Sequence, residues 1–65
     1  MRREIIEILV KVERHRITVS GAAEKLGLIQ KKPINARGRR VLETLAIREL
    51  TIREALQEFL KEDAA

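Results

Sequence analysis

Residues Leu28 to Arg40, LIQKKPINARGRR, decide how this chain is divided. The residues just before them read as a short helix: Thr18 or Ser20 can cap it, Ala22, Ala23, Glu24, Lys25 and Leu26 form its body, and Gly27 is placed to end it in a left-handed conformation. A second helix in direct continuation is then blocked. Pro33 excludes helical backbone at Lys32, and Asn35 is a good N-cap for a helix that starts at Ala36. Lys31, Lys32, Arg37, Arg39 and Arg40 fall in the same stretch with no acid among them. Residues 28–40 therefore read as a basic loop running into a helix start, with one helical half on each side.

Downstream, Val41, Leu42, Leu45 and Ala46 give an apolar stripe at helical spacing. Thr51 followed three residues later by Glu54 is a capping-box pattern, and Ile52, Ala55, Leu56, Phe59 and Leu60 supply the buried face of a last helix. Upstream, residues 2–15 fit two templates. On a helix, Ile5, Leu9 and Val12 share a side with Ile6 and Val10 beside them; on a strand, Ile6, Ile8, Val10 and Val12 would share a face. The length of the segment and the lack of a hairpin turn before Ile17 favour helix. The resulting expectation is one all-α domain over 1–65, a compact bundle of four short helices near 2–15, 19–27, 36–48 and 51–62, arranged as two helical hairpins. A weak internal repeat agrees with that division: ITVSGAAEKL at 17–26 aligns on LTIREALQEF at 50–59, and IIEIL at 5–9 resembles VLETL at 41–45.

Composition sets the remaining bounds. A 65-residue chain buries a small share of its surface, and here neither a disulfide nor a thiolate metal site can supplement the core, because there is no cysteine and only one histidine, His15. A second copy is the expected supplement, through a homodimer interface on the first helix made of Ile5, Ile6, Ile8, Leu9 and Val12. No bound cofactor is expected. No apolar run is long enough to span a membrane, and the acids near the N-terminus do not fit a signal peptide, so the reading is a cytoplasmic protein. Sparse Asn and Gln beside abundant Arg and Glu fit a heat-adapted prokaryotic source.

Two family resemblances attach to these residues. ITVSGAAEKLGL, with Ala23 and Gly27 at an Ala-x-x-x-Gly spacing, resembles the second helix of small prokaryotic helix-turn-helix proteins of antitoxin-like or excisionase-like type. Arg16-Ile-Thr-Val-Ser20 and Ile52-Arg-Glu-Ala-Leu-Gln-Glu-Phe-Leu60 are similar to the strand and final helix of ribbon-helix-helix repressors. That resemblance implies an alternative fold with an N-terminal extension, in which Arg16, Thr18 and Ser20 face the major groove. Both imply a small dimeric DNA-binding regulator, with a toxin as a possible protein partner in the antitoxin case.

The charge distribution points the same way. Formal charge is +2 over residues 1–30, +5 over 31–40 and −3 over 41–65. Arginines on the first turn of a helix face the positive end of its dipole, an arrangement that suits an incoming phosphate. The expected nucleic-acid contacts are Lys31, Lys32, Arg37, Arg39 and Arg40 to phosphates, with Asn35 the residue suited to a base edge. The other functional class open to the sequence is a helical protein-interaction or oligomerisation module, its basic loop pairing with an acidic helix. Glu54, Glu58 and Glu62 form such an acidic stripe. Catalysis is not expected: one serine, one histidine and one aspartate offer no oriented nucleophile and base.

Overall fold

A computed structural model describes the chain from Arg2 to Ala64, without the side chains of Arg2 and of residues 62–64. Four helices follow one another: α1 (Arg2–Glu13), α2 (Val19–Gln30), α3 (Ala36–Ala46) and α4 (Ile52–Ala64). No strand occurs among the described residues, so the ribbon-helix-helix alternative falls. Arg16 and Ile17 lie in a bend, Thr18 caps α2, and Val19 and Ser20 are its first helical residues.

The inner pair of the bundle is α1 and α3, which pack on each other. The outer helices α2 and α4 each pack on both of them and scarcely touch one another. Ile5, Ile8, Leu9 and Val12 of α1 meet Leu42 and Leu45 of α3 in the core, closed by Ala22 and Leu26 from α2 and by Ala55 and Phe59 from α4. This corrects the expected dimer interface: Ile5, Ile8, Leu9 and Val12 are all buried inside a single copy, and Ile6 is half-buried. The apolar excess of α1 is absorbed by α3, which the sequence pattern of either helix alone does not reveal.

Each connection is held by specific bonds. Thr18 Oγ1 accepts the Gly21 N–H at 3.0 Å at the start of α2. At α4 the capping box is complete: the Thr51 N–H donates to Glu54 Oε1 at 3.0 Å, and the Glu54 N–H donates to Thr51 Oγ1 at 3.2 Å. The Thr51 N–H, and then its hydroxyl, hold the Glu54 carboxyl below its ordinary value. At the other ends, His15, Lys31 and Arg48 take left-handed conformations, with φ of 58°, 61° and 60°. The next residue in each case returns its N–H to a carbonyl five residues back, Arg16 to Lys11, Lys32 to Gly27 and Glu49 to Thr44. Such a closure normally uses glycine. Two of the closing residues, Lys31 and Arg48, are cationic, which suits the negative end of the helix each follows. The expectation for Gly27 is corrected in turn: it is helical, α2 continues to Gln30, and Lys31 supplies the left-handed residue. Gly27 serves a close approach instead, since a Cβ there would lie 3.2 Å from the Lys32 carbonyl oxygen.

These fixtures recur thirty-three residues apart. Thr18 and Thr51 begin the outer helices, His15 and Arg48 close the inner ones, and the buried pairs Leu9 and Leu42, Val12 and Leu45, Ala22 and Ala55, Leu26 and Phe59 occupy matching places. The alignment of 17–26 on 50–59 has this offset. The alignment of 5–9 on 41–45 is three residues out of step, because burial pairs Leu9 with Leu42.

Three substitutions test this framework. Lys31→Gly and Arg48→Gly relieve a left-handed side chain and should each raise the unfolding free energy by about 0.5–1 kcal/mol, read as a higher urea midpoint at unchanged slope. Gly38→Ala should do the reverse despite better helix propensity. Its Cβ would fall 2.6 Å from Ile34 Cγ2 and 3.3 Å from Phe59 Cε1, an overpacking expected to cost about 1–3 kcal/mol.

Candidate nucleic-acid interface

The basic stretch divides into three pieces. Leu28, Ile29 and Gln30 complete α2, residues 31–35 form the connection, and Ala36 to Arg40 are the first turn of α3. The connection is short because the chain folds back on itself at Lys31, with the Lys32 N–H held by the Gly27 carbonyl at 3.1 Å. Pro33 then keeps the backbone extended until Asn35, whose side-chain Oδ1 accepts the Gly38 N–H at 2.8 Å and starts α3.

This geometry brings Lys31, Lys32, Arg37, Arg39 and Arg40 to one corner of the molecule, all exposed. Two of the arginines are oriented by neighbours. Arg37 Nη2 lies 3.1 Å from Glu58 Oε2, with 70% of the arginine side chain and 32% of the glutamate side chain exposed. Arg39 Nη2 donates to Ser20 Oγ at 2.7 Å. The pair of Arg37 with Glu58 is the single ion pair among the described residues, so the other four cations of the corner have no carboxylate within ion-pair distance, although Glu24 and Glu43 lie on the same surface. An exposed pair of this kind contributes little stability and exchanges readily with another anion.

The surface around these charges is shaped. Between α2 and α3 lies an open recess of about 690 Å³, floored by Ala23, Gly27, Pro33 and Ile34 and bordered by Ser20, Glu24, Lys31, Lys32 and Arg39. Leu28 sits at its edge with 74% of its surface exposed. A second depression, lined by Ala36, Arg37, Arg39, Arg40 and Glu43, lies at the amino end of α3. There the helix dipole and the arginines act in the same direction on an anion.

Asn35 has a narrower role than the sequence implies. With Oδ1 committed to the cap, it cannot offer both amide atoms to an adenine, the two-bond contact that makes asparagine a base reader. The sequence singles out Ser20 as a cap or a groove-facing residue, not as a partner of Arg39, and it does not point to Leu28. The Ser20 bond to Arg39 arises only from folding, since the two lie on different helices, while exposed Leu28 falls on the part of α2 beyond its expected end at Gly27.

Other chemistry-bearing groups are engaged elsewhere. His15 Nε2 lies 2.8 Å from the Ala46 carbonyl oxygen, joining the end of α1 to the end of α3, and does not meet the Ser20 hydroxyl. Glu54 belongs to the α4 cap and Glu58 to Arg37, while the side chain of Glu62 lies outside the described residues. Among the described residues no three potential metal ligands come together, and no helix is long and apolar enough to cross a membrane. No family model, curated protein or solved structure matches the chain.

Replacing Asn35 with Ala removes the cap that positions the basic turn. It should lower stability by about 1 kcal/mol in chemical denaturation, and amide exchange should rise first in the opening residues of α3, Gly38 above all.

Proposed function

We propose that the protein binds the sugar-phosphate backbone of duplex DNA through the basic corner, as a small regulator of the helix-turn-helix, antitoxin or transcription-factor kind, working in the cytoplasm. The observation that carries this reading is the set of five exposed cations from Lys31 to Arg40, with no acid among them in the chain, of which only Arg37 is ion-paired among the described residues. Cations held together at a helix start repel one another and the dipole, and a row of phosphates relieves both. Arg39, braced by Ser20, and Arg40, beside the α3 amino end, are the strongest candidates for direct phosphate contacts. The outward strip of α3 beyond them carries Glu43 and Ile47, which favours backbone positioning over base readout. With a longest dimension of 26 Å, one copy reaches phosphates within a single helical turn of B-DNA, which repeats at roughly 34 Å.

A second reading, a protein-interaction module, draws on a different observation: the apolar recess beside the same cations and the exposed Leu28 at its edge. One experiment separates them. Duplex binding is measured at low and moderate salt for the natural chain and for Arg37→Ala, Arg39→Ala and Arg40→Ala combined, after circular dichroism confirms that both are folded. Under the DNA reading, affinity falls with salt at a log-log slope of about −0.9 per phosphate neutralised, and the triple variant flattens that slope by up to about 3 while losing more than about tenfold in affinity. Binding absent at low salt, or insensitive to salt, would remove the DNA reading and leave the interaction module.

A further inference from the structure

The two hairpins share a framework but not a charge pattern. Between α1 and α2 runs a groove lined by Glu4, Glu7, Ile8, Lys11 and Lys25. Between α3 and α4 runs its counterpart, lined by Arg37, Arg40, Val41, Thr44 and Glu58. At the thirty-three-residue offset these five places coincide, while Leu28 and Ile29 line only the first groove and Leu50 only the second. Ile8 and Val41 match as apolar floor, while Glu4 stands opposite in sign to Arg37, Glu7 to Arg40 and Lys25 to Glu58. The grooves have no lining residue in common. Because α2 and α4 each pack on both inner helices and scarcely meet, they lie on opposite sides of the α1 and α3 pair, and the two grooves face away from each other.

We propose that the protein associates with copies of itself head to tail, the α1–α2 groove of one copy seating on the α3–α4 groove of the next. Two surfaces built on one framework meet strip against strip, as the two halves of a symmetric dimer do. Such a contact sets residue i of one strip against residue j of the other and j against i, so strips whose neighbouring charges shared a sign would repel. The sign reversal at three positions turns that repulsion into attraction: the glutamates of α1 face the arginines of α3, and Lys25 faces Glu58. Charges of this exposed kind set register and partner choice more than tightness, so the association is weak and salt-sensitive. Since the two faces of each copy are different and point apart, every contact leaves a free groove at either end, and the product is a ring or an open chain rather than a closed two-fold pair. This inference stands on the fold and the charge pattern, and does not depend on the nucleic-acid reading.

The test is sedimentation equilibrium of nucleic-acid-free protein over a wide concentration range at low salt and at about 1 M salt, where the Debye length is about 3 Å. The expected result is an average mass that climbs above the 7.5 kDa of the monomer with concentration at low salt and returns to it at high salt. Two double variants follow, Glu4→Arg with Glu7→Arg and Arg37→Glu with Arg40→Glu, each verified as folded by circular dichroism. Each alone should remain at monomer mass, because both of its grooves then carry the same sign. Mixed, they should associate again, since the first keeps the arginine groove and the second the glutamate groove. A natural chain that stays monomeric throughout at low salt, variants that associate alone as the natural chain does, or a mixture that stays monomeric would each overturn the proposal.

Discussion

Everything in this molecule depends on α1 lying against α3. A chain of this length without cysteine has only its aliphatic side chains to hold it, and the inner pair concentrates them. Leu9, Val12, Leu42 and Leu45 are essentially without exposed surface, and Ala22 and Ala55 are small enough to bring the outer helices close on either side. Once the two inner helices spend their apolar faces on each other, the outside is left to charge. The charges then form few bonds of their own, with Arg37 and Glu58 the single ion pair among the described residues. Cohesion and surface chemistry are therefore nearly separate in this protein.

Much of that arrangement was legible in the sequence because it is written locally. Thr18, Asn35 and Thr51 act as caps whether or not the rest of the chain is considered, and Pro33 stops helix through its own ring. The apolar stripes around Leu42 and Phe59 gave α3 and α4 directly. What escaped was set by distance in the chain. Gly27 looks like a helix terminator, and its helical backbone is explained only by Lys32 and Pro33 coming back within reach of its missing side chain. The same limit made α1 look like a dimer face, since nothing near Ile5 or Leu9 announces that residues more than thirty positions away will cover them. Of the candidate site, the cations and the acidic stripe that includes Glu58 could be named from the sequence, but not which of them meet: the bonds of Arg39 to Ser20 and of Arg37 to Glu58 join different helices.

The basic corner shows a tension that cohesion alone does not explain. Placing arginines on the first turn of α3 sets them against the helix dipole, while Lys31 and Arg48 at the left-handed closures after α2 and α3 work with it. The favourable arrangement is used twice where a helix ends, and the unfavourable one once, at the helix start with the densest charge. A local cost of this kind, kept in an otherwise consistent chain, is the feature on which the proposed binding role rests.

The repeated framework has a further consequence for how the chain finds its own shape. Each hairpin offers the other the same kind of surface, so the first hairpin of one chain could in principle be completed by the second hairpin of a neighbour, an exchange in which only the link between halves changes course. Residues 31–35 decide the matter. Lys31 turns the chain, and the Lys32 N–H is tied to Gly27. A link folded back in this way keeps the two halves of one chain at high effective concentration and leaves a neighbour's half at a disadvantage. Lengthening or straightening that short segment would shift the balance toward intertwined pairs, so the residues that shape the candidate site also keep each chain paired with itself.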